Sequence, residues 1–268
     1  MSLGIGQAAA LGALQGPAEL LPVSSSGHLA LAPALVGWDY GGLDPELRKS
    51  FEVALHAGTA AALAIALRDE VTEVLRSLDP KRLAGVVLTF APAAAVAAVG
   101  ERAIEERLGS PRSVAVAQIA AGLALGLADL RPADRSHADA GPLDHMVIGC
   151  GQATALVPGV SRNGATLTAA RLLRFERDAA SVLSRHAALP VIAGATGLKG
   201  LRLARRGLAP ELRTLFAIGA GAAFASTLAS RRLIGVMDRA RGYLPFAAYR
   251  VALGTAALAR LRRSHPIQ

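Results

Sequence analysis

The chain has 268 residues, 52% of them hydrophobic and only 18% charged, with a mean hydropathy of +0.39. A soluble domain carries about 25% charged residues, so this composition argues for a polytopic membrane protein whose Ala and Gly, with aromatics at 4%, suit close helix packing in lipid. The net charge of +9 does not imply nucleic acid, because the basic residues fall between apolar runs, at Arg48-Lys49, Lys81-Arg82, Arg205-Arg206, Arg231-Arg232 and Arg262-Arg263, where loops meet headgroups.

The first apolar stretch, Leu3 to Gly37, is too long for one span and too short for two, and PVSSSG breaks it in the middle. Such a break within a membrane is tolerated only where protein or a water-filled cavity satisfies the freed backbone, which predicts a re-entrant helix-loop-helix hairpin. The N-terminus lacks a basic n-region and this stretch carries a motif, so no cleavable signal is expected. Full spans are expected at Val53 to Leu67, Leu83 to Gly100 and Ser113 to Ala128. Met146 to Ala170 is broken like the first stretch, here by PGVSRNG, and reads as a second hairpin; Cys150 within it reads as a small buried hydrophobe. His186 to Leu198 is short for a span unless it extends back through Val182, and Thr214 to Ser230 and Gly242 to Ala259 complete the set. Trp38, Tyr40 and Tyr243 fall at expected span ends and read as interfacial anchors, while Arg250 reads as a buried pairing partner or a second anion contact.

The two breaks are related. Gln15, Val23, Ser24 and Gly27 recur 137 residues later as Gln152, Val160, Ser161 and Gly164. Three full spans separate the hairpins, an odd number, so they are expected to enter from opposite faces, as in inverted-topology repeats whose broken helices meet near the bilayer midplane. The expected fold is therefore an all-α polytopic membrane protein, one integral domain over residues 1–268, with pseudo-repeats at about 1–130 and 140–268, two re-entrant hairpins and about six full transmembrane helices. Gly27 and Gly164 are expected to meet near the midplane, with Glu19, His28 and Arg162 around one cavity. Lys and Arg divide about equally between the two sides, so the positive-inside rule gives no orientation.

The reactive groups are divided between the loops. Gln15 and Glu19 lie four apart, on one helical face, and Glu19 is the only acid between Met1 and Trp38. Their oxygens suit Mg²⁺ or Ca²⁺, hard ions that take carboxylate, water and phosphate. Ser24, Ser25 and Ser26 precede a helical run, where serine is an ordinary cap, but Gly27 and His28 follow at once, and histidine serves as base, acid or nucleophile near neutral pH. In the second loop Arg162 is the only charge between Asp144 and Arg171, and its planar fork grips phosphate oxygens. Gly159 and Gly164 let backbone approach a ligand, and Ser161, Asn163 and Thr166 add donors, so the segment reads as a phosphate-binding loop. A cation, donors, a carboxylate and a hydroxyl with an imidazole suit phosphoryl transfer, and their setting implies a lipid-borne phosphate.

At these residues the chain resembles the undecaprenyl-diphosphate phosphatase family, the membrane enzymes linked to bacitracin resistance. The family's (E/Q)xxxE motif and LPVSSxGH sequence are matched by Gln15 to Glu19 and Leu21 to His28, and its PGxSRSG motif by Pro158 to Gly164. The likeness runs on through Phe51, His56-Ala57-Gly58-Thr59, Gln152 and Pro245-Phe246-Ala247-Ala248-Tyr249-Arg250. The resemblance implies hydrolysis of undecaprenyl diphosphate in the plasma membrane with a divalent cation, recycling the lipid carrier of cell-wall synthesis. It also implies that Glu19, Ser25, His28 and Arg162 form the catalytic set, supported by Gln15 and Ser161. A carrier or flippase of the phosphorylated lipid is the alternative, and association of copies is left open. Asn163 departs from the family's serine, and Arg185-His186 from its apolar pair, the latter reading as an early helix boundary or, at His186, as a second polar group near the site.

Overall fold

A computed structural model describes residues 3–76, 79–206 and 209–264. Among them the chain is helical, with no strand beyond one isolated parallel bridge between Arg135 and Phe175. The first half holds α1 (Ile5–Leu20), α2 (Ser25–Val36), α3 (Pro45–Ala66), α4 (Arg68–Arg76), α5 (Pro80–Leu108) and α6 (Pro111–Asp129). A 3-10 turn at His137–Asp139 leads to α7 (Pro142–Thr154), α8 (Arg162–Leu172), α9 (Arg177–Arg206), α10 (Pro210–Ala229), α11 (Arg232–Asp238) and α12 (Leu244–Ser264).

The helix starts follow from local chemistry. Proline opens α3, α5, α6, α7 and α10, a position where its fixed φ is already helical and its missing N–H costs nothing. Before three of them an oxygen-bearing side chain caps a first-turn N–H, at 2.9 Å for Asp44, 2.8 Å for Asp79 and 3.1 Å for Ser110. These caps carry the helices several residues beyond the apolar runs that mark them in the sequence. Residues Pro80–Leu108, Pro111–Asp129 and Leu212–Ala229 are long and apolar enough to cross a membrane.

Packing crosses between the halves. Helix α1 lies along α10, α7 lies along α5, and α6 packs on α12. Small residues set these distances: a Cβ at Gly12 or Gly16 would overlap Gly219 O or Ser226 Oγ on α10, and one at Gly149 would stand 2.6 Å from Leu88 O on α5. Ser226 also donates to Gly12 O at 3.1 Å. At one end Asp129, 3% exposed, receives Arg177 Nε at 2.7 Å and the Tyr243 N–H at 2.7 Å, while Arg171 donates to Phe175 O, Asp129 O and Arg131 O. This knot fixes the ends of α6, α8, α9 and α12 together.

Several expectations change here. Tyr40 and Tyr243 are buried, not interfacial: Tyr40 packs with Leu43 and Phe51, and the Tyr243 hydroxyl donates to Arg177 O at 3.0 Å. Cys150 is exposed on the outer side of α7, because the adjacent Gly149 is the residue that faces α5. Arg185 and His186 are not at a helix boundary, since α9 begins at Arg177; Arg185 instead bonds Asp238 on α11 and Glu70 on α4. The early start supplies the length that His186 to Leu198 lacked. The side chains of Arg205 and Arg206 lie outside the described residues.

Candidate functional site

The loops between α1 and α2 and between α7 and α8 have the same backbone device. Ser24 (φ 70°, ψ 99°) and Ser161 (φ 69°, ψ 116°) are both left-handed, a conformation that costs a non-glycine residue about 1–3 kcal/mol. Each is held there by its own side chain, whose Oγ accepts the N–H of the glycine three residues on: Gly27 at 3.2 Å and Gly164 at 3.1 Å. The cap consumes those two N–H groups. The N–H groups of Ser25 and Ser26, and of Arg162 and Asn163, belong to the first helical turn and have no intrahelical acceptor, so they form an anion-seeking surface.

The loops are bound to each other and to a shared frame. Arg250 on α12, fully buried, donates through Nη1 to Pro22 O at 3.1 Å and through Nη2 to Gly159 O at 2.9 Å and Val160 O at 2.8 Å. One guanidinium thus clamps both loops by their carbonyls. Among the described residues its partners are main-chain carbonyls rather than a carboxylate, so Arg250 is a buried pairing partner whose partners are backbone. Gln118 on α6 donates to Val23 O at 2.6 Å. Across the seam the Gly159 N–H reaches Ser26 Oγ at 3.4 Å, and Asn163 Nδ2 donates to Leu20 O at 3.1 Å. A Cβ on Gly27 would meet Gln118 and Ser24, and one on Gly164 would meet Arg250 and Pro22 O, so both glycines are closely packed at the seam.

Four candidate residues converge. Glu19 Oε1 receives Arg162 Nη2 at 3.1 Å, and Oε2 receives the Ser25 hydroxyl at 2.7 Å and, more weakly, Gln15 Nε2 at 3.5 Å. The Glu19 and Arg162 side chains are 14% and 18% exposed, so they form a largely desolvated ion pair between the halves. Gln15 is fully buried, and its Oε1 finds no partner among the described residues. A free amide oxygen beside a carboxylate fits a hard divalent cation, which is bound through such oxygens together with water.

The other candidates are placed differently. His28 is 4% exposed and is held by Ser24 O at 2.7 Å from Nδ1 and by the Tyr249 hydroxyl at 2.6 Å from Nε2, not by Glu19 or Arg162. Ser26 bonds Ser24 Oγ at 3.3 Å at the loop seam. Thr166 is fully buried, bonded to Arg162 O, Asn163 O and Ser184, and braces the loop from behind. Ser184 on α9 also donates to Asn163 Oδ1 at 2.9 Å, so the amide that replaces the expected serine is held at both ends. Sequence reasoning passed over Gln118 and Ser184. Gln118 had a signal, as a lone amide in the apolar run from Val114 to Ala128; Ser184 had none.

Residues 8–256 match the family model described as Bacitracin resistance protein BacA. The chain belongs to this family. Its BacA relatives include undecaprenyl-diphosphatase of Trichlorobacter lovleyi, 38% identical over 269 residues, covering 95% of this chain and 96% of that protein. The Geobacter sulfurreducens undecaprenyl-diphosphatase is 39% identical over 268 residues, covering 95% and 97%. That of Chromohalobacter salexigens is 37% identical over 257 residues, covering 91% and 94%. The BacA match spans both loops and α12 as far as residue 256, so the clamp and the ion pair both fall inside the shared region.

Proposed function

We propose that this chain is a membrane undecaprenyl-diphosphate phosphatase, releasing undecaprenyl phosphate and inorganic phosphate. The observation that carries the reading is the Glu19–Arg162 pair: the acid of one loop and the anion-binding cation of the other meet across one seam, with Ser25 on the same carboxylate. Relatives named diphosphatases favour hydrolysis over carriage of the lipid.

We read the two helix-loop-helix units as re-entrant hairpins of an inverted repeat, because the left-handed serines and the crossed packing of α1 on α10 and α7 on α5 repeat in both halves. With α3, α5, α6, α9, α10 and α12 as full spans the protein is multi-pass, set in the plasma membrane where its lipid substrate resides.

The mechanism follows from the contacts. Arg162 and the first-turn N–H groups of α2 and α8 take the diphosphate oxygens, Arg162 releasing Glu19 as it does so. Ser25 Oγ, already donating to Glu19 at 2.7 Å, attacks the terminal phosphorus while Glu19 takes its proton. The bond between that phosphorus and the bridging oxygen breaks, and the polyprenyl monophosphate leaves. Water then displaces phosphate from Ser25, and the proton returns to Ser25 Oγ. His28 lies one helical turn from Ser25, on the same face of α2, and is the base we assign to that water. Gln15 and Glu19 would hold Mg²⁺ or Ca²⁺, which when bound supplies charge neutralisation to the phosphate oxygens.

The test is inorganic phosphate release from a polyprenyl diphosphate by the purified protein in detergent. Glu19→Ala and Arg162→Ala are expected to lose at least about 100-fold in turnover while remaining folded, with a melting temperature lowered by the loss of the desolvated pair; full activity in either sinks the reading. Chelation is expected to stop turnover and Mg²⁺ or Ca²⁺ to restore it. Gln15→Ala should raise the cation concentration needed for half-activity.

A further inference from the structure

The hydroxyl of Tyr249 lies 2.6 Å from His28 Nε2, and the two rings stack with centroids 5.6 Å apart and planes 11° from parallel. The other ring nitrogen determines what this bond means. Ser24 O, 2.7 Å from Nδ1, is a carbonyl and can only accept, so Nδ1 carries the hydrogen and the neutral ring has its lone pair at Nε2. Tyr249 therefore donates to Nε2 when His28 is neutral. When His28 is protonated, Nε2–H donates to the phenol oxygen, which turns its own hydrogen away. A single hydroxyl rotation satisfies both states.

Exposure adds a direction. His28 is 4% exposed and Tyr249 46%, so the phenol is the outward member of the pair. Tyr249 also precedes Arg250, whose three bonds to the loops fix α12 in register with them. The hydroxyl is thus delivered to Nε2 by the same helix that clamps the site.

We propose that Tyr249 is a positioning residue for the hydrolysis, holding His28 Nε2 in both protonation states. This rests on the phosphatase reading above. Tyr249→Phe keeps the stacked ring and removes only the hydroxyl. In the full-length purified protein kcat for phosphate release is expected to fall about tenfold, with KM changed by less than about twofold. In ¹⁵N-histidine-labelled wild type the His28 signals should show a protonated Nδ1 and a hydrogen-bonded Nε2, and the Nε2 signal should move to that of a free lone pair in the variant. An unchanged kcat, a loss confined to KM, or a wild-type neutral ring with its hydrogen on Nε2 overturns the proposal. Absence of phosphate release by the wild type would instead sink the phosphatase reading. The wild-type spectrum would still decide whether the His28–Tyr249 pair exists, whatever the folding of the variant.

Discussion

Among the described residues buried Arg250 meets no carboxylate, and what it meets instead is a set of carbonyl dipoles. Pro22 O, Gly159 O and Val160 O point at one guanidinium, whose flat fork reaches all three from one position. Lysine has one ammonium and cannot span them. Arg250→Lys is therefore expected to leave at least one carbonyl unpaired, at a cost of about 1–3 kcal/mol, lowering the melting temperature in detergent and phosphate release together. Glu19, His28 and Arg162 were legible in the sequence because a titratable group in a long apolar stretch stands out. Arg250 stood out as well, but a sequence does not reveal that its partners are main-chain oxygens, and Ser184 is invisible because serines abound. Tyr249 was visible only as part of a shared motif, since its role comes from a ring 221 positions away.

At the scale of elements, the apolar runs located the helices and the broken stretches located both loops, while the boundaries moved. The reason is that proline, joined by a preceding side-chain cap at α3, α5 and α6, and not hydropathy, decides where these three helices and α10 begin. Tyr40 and Tyr243 were misplaced for a related reason: a tyrosine at the end of an apolar run looks the same whether it meets headgroups or another helix. The second loop supplies a sharp test. Gly159 has φ +97°, and a Cβ there would stand 2.6 Å from Val114 O on α6, whereas Gly221 on α10 has open space around it. Gly159→Ala is expected to displace the loop and remove most of the activity, with a strain of about 1–3 kcal/mol. Gly221→Ala should leave turnover unchanged and keep or raise the melting temperature. Phosphate release and thermal melting on the two variants check both.

Across the whole molecule, each loop depends on the half that does not contain it. Helix α1 leads into the first loop but packs on α10, and α7 leads into the second but packs on α5. The repeat in the sequence announced two similar loops; it did not announce this exchange, which arises only when the halves interlock. A chain stopped after Asp238 keeps Glu19, Ser25, His28 and Arg162 and loses both Tyr249 and Arg250. It is expected to reach the membrane fraction and to release no phosphate from a polyprenyl diphosphate. The clamp also sets an order in time. Arg250 is polymerised 228 residues after Pro22 and 90 after Val160, so while the ribosome is still adding α12 the two loops lack the residue that binds them together. The proposed catalytic groups are made early, and the clamp on both loops is complete only once α12 is threaded into place.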